Sequence, residues 1–315
     1  MPELPEVEIT ARRLDEALRG AEIVSALSPG VKAMRTFDPP LSALEGETVR
    51  RVGRRGKHLL VEVSGELLLL IHLMSAGRLQ LYDRRAGPRD RTSRLLVRVL
   101  LDGGNEERAT REPSSSGASR TRPSSDTEHR AELRVEGELR LREFGSKQAA
   151  WVKLLRGEEL ERDDSIATLG PEAWPEPPPL AEVLDAPRPL HAVLRDQRVI
   201  AGIGRSWVDE ILWEAKLSPF KRAGDLSELE TAVLEQAIAG TLDAAIEHYE
   251  HTVKLPIPDK LPMPLKVHRH EGEPCPRCAT KLEAVHFEDY VIAYCPACQT
   301  GGRTLKDRRM SRLLK

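Results

Sequence analysis

Residues Pro171–Pro179 read PEAWPEPPP, with five prolines in nine positions, a stretch that can supply neither a helix interior nor a central strand. The hydrophobic period changes across it. On the N-terminal side, Ile23–Leu27, Leu59–Val63, Leu67–Leu73, Leu95–Leu101 and Glu138–Phe144 alternate or run apolar for short lengths. Turns such as Ser64-Gly65 separate them, as expected of antiparallel strands. On the C-terminal side, Leu180–Leu184, Leu190–Val199, Ser206–Ala215 and Leu226–His251 carry helical spacing. In the last of these, Leu229, Val233, Ile238 and Leu242 are among the apolar positions. The linker therefore divides an α+β multidomain chain, with an N-terminal antiparallel β-sandwich followed by a helical domain.

Further out from the linker, Val7, Ala11, Leu14 and Leu18 fall on one face of a leading helix that Gly20 can stop. Residues 1–150 form the expected sandwich domain, 151–179 the linker and 180–262 the helical domain. Residues 263–315, after the Pro-rich stretch Leu255–Pro264, form a cysteine-bearing end with a basic tail. Within the sandwich, residues 103–130 are Ser, Arg, Pro and Glu with almost no apolar content, which predicts a disordered insertion in a surface loop. There is no internal repeat.

Composition excludes several classes. Of 315 residues, 40% are hydrophobic and 31% charged, values typical of a globular chain long enough to bury two or three cores. The longest aliphatic run, Leu67–Ile71, is far too short to span a membrane. The acidic MPELPEVE start does not resemble a secretory signal, and four cysteines are too few for a disulfide scaffold, so a cytoplasmic protein is expected. Net charge is −2, which argues against bulk electrostatic coating of nucleic acid. Its distribution is uneven: +3 over 1–150, −10 over 151–250 and +5 over 251–315. Arg50, Arg51, Arg54, Arg55 and Lys57 form one basic knot, and Arg303, Lys306, Arg308, Arg309, Arg312 and Lys315 another. Such patches suit phosphate contacts, and equally suit a solvated surface.

Cys275, Cys278, Cys295 and Cys298 form C-x2-C-x16-C-x2-C. Two such knuckles bring four thiolates to tetrahedral reach of one ion around a hairpin, which predicts a single structural Zn2+. His268, His270 and His286 are near in sequence, but four cysteines already fill the site. Gly202-Ile203-Gly204-Arg205 lacks the preceding strand and third glycine of a dinucleotide fingerprint. It reads as a tight turn between helices, whose opening amides also suit a phosphate. Pro2 carries a different chemistry. Removal of Met1 leaves a secondary amine with a pKa of about 8, partly neutral at physiological pH. It can attack an electrophilic sugar carbon, with Glu3 and Glu6 beside it to move protons. Proline at position 2 and acids in a first helical turn are also commonplace. No metalloprotease, serine-hydrolase or P-loop motif is present, so no nucleotide cofactor is expected.

Taken in order, Met1–Glu8 (MPELPEVE), Arg54–Leu60 (RRGKHLL), His72–Leu79 (HLMSAGRL), Leu169–Glu172 (LGPE), Val199–Glu210 (VIAGIGRSWVDE), Gly272–Cys278 (GEPCPRC) and Tyr294–Gln299 (YCPACQ) resemble the formamidopyrimidine-DNA glycosylase / endonuclease VIII family of base-excision repair. The resemblance spans nearly the whole chain. It implies a β-sandwich with a leading helix, a helix–two-turn–helix domain and a C-terminal zinc finger, with damaged double-stranded DNA in the cleft. It implies Pro2 as the nucleophile, Glu3 as the carboxylate that assists sugar-ring opening, Glu6 as a supporting acid and Lys57 as a backbone-phosphate contact. A monomeric bifunctional glycosylase/AP lyase with no membrane partner is expected.

Several positions depart from the family pattern. Arg205 stands where an asparagine usually binds phosphate, and Tyr290 where the finger hairpin usually bears arginine. Met74, after His72, falls one residue before the base-replacing methionine, and Ser75 takes the aligned place. The usual Arg-Phe-Gly wedge is not recovered around Phe144–Trp151, where Lys147 is the nearest cation. His72, Met74, Lys147, Arg205 and Tyr290 are thus the expected DNA-facing set. Two alternatives follow: a non-catalytic lesion binder, or an enzyme confined to abasic sites or single strands.

Overall fold

The leading helix, α1 (Leu4–Leu18), buries Leu4, Val7, Ala11, Leu14 and Leu18, the apolar stripe read from the sequence. The structure is a computed structural model that describes residues 2–87, 89–102, 134–144, 148–184, 187–287 and 290–305. The insertion at 103–130, Lys147 and the tail cations from Lys306 onward lie outside the described residues.

Eight strands follow: β1 (Glu22–Leu27), β2 (Val49–Arg55), β3 (His58–Val63), β4 (Leu67–His72), β5 (Gly77–Tyr82), β6 (Ser93–Asp102), β7 (Arg134–Glu143) and β8 (Trp151–Arg156). They form two four-stranded antiparallel sheets, ordered β1-β6-β7-β5 and β2-β3-β4-β8. Leu59, Val61, Leu69, Ile71, Leu95, Val97, Leu139 and Leu141 fill the space between them with alternate side chains. The sandwich is as expected, with three strands added. β2 is VRRVGRR and β5 is GRLQLY, whose arginines and glutamine mask the alternation. β8 pairs along β4 from Leu67↔Arg156 to His72↔Trp151, so the segment assigned to the linker begins with a sheet strand. The sandwich runs to Arg156, not to residue 150.

After short helices α2 (Asp164–Ala167), α3 (Leu180–Val183) and α4 (Leu190–Leu194) come α5 (Arg205–Glu214) and the long α6 (Glu228–Thr252). The capping box of Ser227 and Glu230 starts α6. Leu234, Ile238, Leu242 and Tyr249 of α6 share one continuous core with α1, α5 and the sheets. The chain ends in the hairpin β9 (Glu283–His286) and β10 (Val291–Tyr294), then α7 (Pro296–Thr300). No described helix is long and apolar enough to cross a membrane.

Candidate active site

The chemistry-bearing residues converge where the start of α1 meets the start of α5. The Leu4 amide donates to the Gly202 carbonyl at 3.0 Å, which fixes the chain terminus to the Gly-Ile-Gly turn. The Glu3 carboxylate then accepts from the Ser206 amide at 3.1 Å and the Trp207 amide at 3.3 Å. A carboxylate on the first amides of a helix is favoured by hydrogen bonding and by the helix dipole. Gly204 makes the approach possible, because a Cβ there would lie 2.2 Å from the Glu3 carboxyl carbon. The opening amides of α5, read as a phosphate seat, are thus occupied by Glu3.

Glu6 sits one turn further along and is 3% exposed. Its carboxylate accepts from the Glu3 amide at 2.8 Å, the Tyr249 hydroxyl at 2.7 Å and the Trp207 indole N–H at 3.1 Å. Burial, reinforced by the charge of Glu3, raises its pKa to about 7 despite these donors. Glu6 can therefore hold or release a proton near neutral pH. Trp207 and Tyr249 are distant in sequence from Glu6, and nothing local marked them as partners.

Lys57 reaches the same place from the sandwich. Arg55 pairs with His58, so Gly56-Lys57 is a two-residue hairpin turn, with Gly56 at φ +55°. Gly56 packs against Leu169 and Ala201, and its amide donates to Glu172 at 2.6 Å. Lys57 is 6% exposed. Burial lowers its pKa, Glu3 and Glu6 oppose the shift, and Arg195 and Arg205 add to it.

In the basic knot around this turn Arg50 and Arg51 are exposed, whereas Arg54 and Arg55 are engaged by acids. Arg54 pairs with Glu8 and Glu172, and Arg55 with Glu172 at 2.7 Å. Burial would raise the Glu172 pKa, but Arg54, Gly56 and Arg55 together hold it below the usual carboxylate range. Arg54 and Arg55, left open between phosphate contact and solvated charge, are the clamp that seats LGPE beneath the Lys57 turn. Pro2, half-buried, immediately precedes this cluster of two acids and one lysine.

The loop after β4 carries the candidate base-facing residues. His72 is packed among rings, 4.7 Å from His58 and stacked 5.6 Å from Trp151. Its Nδ1 accepts the Met74 amide at 3.0 Å. Burial lowers its pKa to about 3, and that of His58 to about 4, so both rings are neutral at physiological pH. His72 is the buckle of this loop and holds Met74 at φ +50°. Met74 is half-buried and Ser75 exposed.

Phe144, which the sequence reading did not place among the DNA-facing residues, is 37% exposed just after β7. The Arg142 guanidinium lies 4.6 Å from its ring. Glu143 pairs with Gly77, which puts Phe144 at the same end of the sheet as the Met74 loop. The sequence signal was Arg142-Glu143-Phe144-Gly145, in which a glutamate interrupts the expected triplet.

The finger is bolted to α5 by two consecutive acids. Glu210 accepts the amides of Lys266, Val267 and His268 at 2.8–2.9 Å. Asp209 accepts the Ala293 amide at 3.0 Å and meets His268 Nδ1 at 2.7 Å. The four cysteine sulfurs lie within 4.8 Å of one another, and the Trp213 indole donates to Cys275 at 3.3 Å. Four sulfurs this close form a donor set for one metal ion. Tyr290, next to β10, stacks on Phe287 at 4.4 Å and lies 4.2 and 5.0 Å from the guanidinium carbons of Arg195 and Arg205.

A two-sheet sandwich joined to a helical domain and a four-cysteine hairpin, with the first helix closing on the Gly-x-Gly turn, defines the class. Residues 1–115 match the formamidopyrimidine-DNA glycosylase N-terminal domain and residues 170–256 the H2TH domain of formamidopyrimidine-DNA glycosylase. The chain is 30% identical to the formamidopyrimidine-DNA glycosylase of Herpetosiphon aurantiacus, over 95% of this chain and 100% of that one. It is 44% identical over 126 residues to an uncharacterized formamidopyrimidine-DNA glycosylase-like protein of Mycobacterium tuberculosis, covering 40% of this chain and 80% of that one. The solved complex between the Lactococcus lactis Fpg and an abasic site containing DNA shares the fold, with a TM-score of 0.74 at 23% identity. That match covers 95% of this chain and 99% of the solved one. The chain belongs to the formamidopyrimidine-DNA glycosylase family.

Proposed function

We propose that this protein is a bifunctional DNA glycosylase/AP lyase of base-excision repair that removes damaged, oxidised bases through the amine of Pro2. The observation that carries the reading is the gathering of Glu3, Glu6 and Lys57, all buried, beside the chain terminus. With Met1 removed, the neutral Pro2 nitrogen attacks C1′ of a deoxyribose whose base has been turned out of the stack. The C1′–base bond breaks and the departing base takes a proton. The amine then gives up its proton, O4′ gains one, and the C1′–O4′ bond opens to leave an iminium at C1′. Loss of a C2′ proton expels the 3′ phosphate and nicks the strand, and water finally releases the enzyme.

Glu3, fixed by two α5 amides, serves the proton transfers at the sugar. Glu6, poised near neutrality, is the reserve acid. Lys57 meets the phosphate beside the lesion. Zinc fits the four thiolates as a structural ion, and no other cofactor is required. The protein acts as a cytoplasmic monomer on damaged duplex DNA. The changed residues Arg205 and Tyr290 support one competing reading, a lesion binder without turnover. Incubation with a panel of damaged duplexes, scoring base release and nicking separately, tests both. Release together with nicking is expected, whereas tight binding with neither supports the competing reading.

A further inference from the structure

Asp209 of α5 is a buried carboxylate shared by three other parts of the chain. Its Oδ2 accepts the Ala293 amide of β10 at 3.0 Å and meets His268 Nδ1 at 2.7 Å. His268, near the cysteines in sequence but not needed as a ligand, thus serves α5 instead. The other oxygen, Oδ1, lies 3.4 Å from Nε2 of His191 in α4. Both atoms are buried, and neither has a hydrogen-bond partner. Leaving a buried acceptor and a buried ring nitrogen unpaired is costly, yet the two face one another across a gap only slightly too wide for a bond. His191 itself is 2% exposed. Its amide donates to the Pro219 carbonyl at 3.1 Å, which ties the start of α4 to the loop after α5. Its ring lies parallel to that of Tyr290 at 6.0 Å, and Phe287 stacks on Tyr290 at 4.4 Å. One histidine therefore touches both α5 and the finger hairpin.

We propose that His191 is a positioning residue, a proton-dependent latch that fastens the finger hairpin to the helical domain through Asp209. Histidine is the side chain that ordinarily changes charge between about pH 5 and 8. When the ring takes a proton from solvent, Nε2–H donates to Asp209 Oδ1 and the bond is charge-assisted. Asp209 is then held at both oxygens, by α4 on one and by His268 and β10 on the other. Without that proton the α4 side of the carboxylate is weakly held, and the hairpin is freer to shift. The charges around the ring oppose one another. Asp209 attracts the imidazolium, and so does Glu210, whose oxygens are committed to the amides of 266–268. His268 shares the same carboxylate. Arg195 and Arg205 repel the imidazolium, but both do so from across Tyr290, at 4.2 and 5.0 Å from its ring. Asp209, at 3.4 Å, is the nearer charge and sets the outcome. The consequence for DNA rests on the DNA-acting reading above: the latch fixes where the hairpin meets the duplex.

The test is amide hydrogen exchange of the full-length, metal-loaded protein from about pH 6 to about pH 8, the range over which histidine titrates. Rates are expressed as protection relative to the intrinsic rate at each pH. The Ala293 amide, bound to Asp209, is the reporter, and the Val267 amide, bound to Glu210, is the control. Protection at Ala293 is expected to fall about five- to tenfold as pH rises, the scale on which a charge-assisted hydrogen bond exceeds a neutral one. Val267 should change far less. His191→Gln, which keeps a polar group but cannot titrate, should flatten the response, while His268→Gln should lower protection throughout and keep the response. Side-chain nitrogen NMR of wild-type protein labelled at histidine reads the His191 proton directly, whatever the variants do. A wild-type pH response in His191→Gln overturns the latch, and so does a His191 ring that stays uncharged at about pH 6. Binding to a duplex bearing a tetrahydrofuran abasic analogue is measured in parallel. Protection that responds as expected, in protein that does not bind this duplex, overturns the DNA-acting reading and leaves the latch standing.

Discussion

Two seams hold the helical domain in place, and they are built on different principles. At the seam between α1 and α5, every acid has amide, indole or hydroxyl donors: Glu3 takes two amides, and Glu6 takes an amide, Trp207 and Tyr249. At the seam between the helical domain and the finger hairpin, Glu210 takes three amides and Asp209 takes the Ala293 amide and His268, while Asp209 Oδ1 is buried without a hydrogen-bond partner. At its outer edge Arg195 and Arg205 lie over the Tyr290 ring, and Nη1 of Arg195 is buried without a hydrogen-bond partner. Interior carboxylates held by several donors fix geometry. The first seam retains the acids that the family resemblance assigns to chemistry. The second carries the departures, Arg205 and Tyr290, where charge has moved but is not lost.

The largest expected effect breaks the second seam. One zinc per chain should be found by metal analysis, because four sulfurs within 4.8 Å form a closed site. Metal binding to such a set is folding energy for the small domain that surrounds it. Chelation or Cys275→Ser should expose amides of β9 and β10 to hydrogen exchange while the sandwich stays protected. DNA affinity should fall by two orders of magnitude or more. Simultaneous loss of protection in both domains would show that the two seams are a single cooperative unit.

A second prediction concerns the pH response of the first seam. The Glu6 pKa rises from 4.5 to about 7 on folding, so the native state binds a proton more tightly than the unfolded chain. Stability contributed by this proton is full below about pH 4.5 and is lost as pH rises through 7, by on the order of 3 kcal/mol at most. Denaturant titrations from pH 5 to 8 should show this decline, and Glu6→Gln should remove it. An identical pH slope in the variant would mean that Glu6 is not the titrating group. His72 and His58 act in the opposite sense: their lowered pKa values remove stability as pH falls below about 6.5. Their contribution therefore has to be subtracted at the acid end.

A smaller effect probes the fit between the two helices. Gly204→Ala should cost about 1–3 kcal/mol, the usual penalty for overpacking, because the new methyl collides with the Glu3 carboxyl. Glycosylase activity should fall further than stability alone explains, while metal content and finger protection stay normal. A variant of wild-type activity would show that the Glu3–α5 contact is not needed for turnover.

The two seams were not equally readable in the sequence. The four cysteines stand at a metal-ligand spacing that can be read by itself, whereas the roles of Pro2, Glu3 and Glu6 were implied only by the family resemblance. The ring and hydroxyl partners of Glu6 come from Trp207 and Tyr249, some 200 residues away, and only the fold brings them together. β2 and β5 were hidden because arginines and a glutamine interrupt their apolar alternation. Arg54 is in fact buried between Glu8 and Glu172. His72 was expected to face DNA, but pairing between β3, β4 and β8 encloses it among His58 and Trp151. Arg195 lies in a helical stretch with no motif, and its contact with Tyr290 is made only by the fold.

The central claim is that the first seam delivers a reactive amine to the sugar. Borohydride reduction on abasic duplex, with tag-free protein whose mass confirms loss of Met1, tests it most directly. The substrate removes lesion choice and base ejection from the question. The account predicts a stable covalent protein–DNA adduct that disappears when an N-terminal extension blocks Pro2 and that persists in Tyr290→Phe. Protein that binds the abasic duplex but gives no adduct under reduction would contradict it.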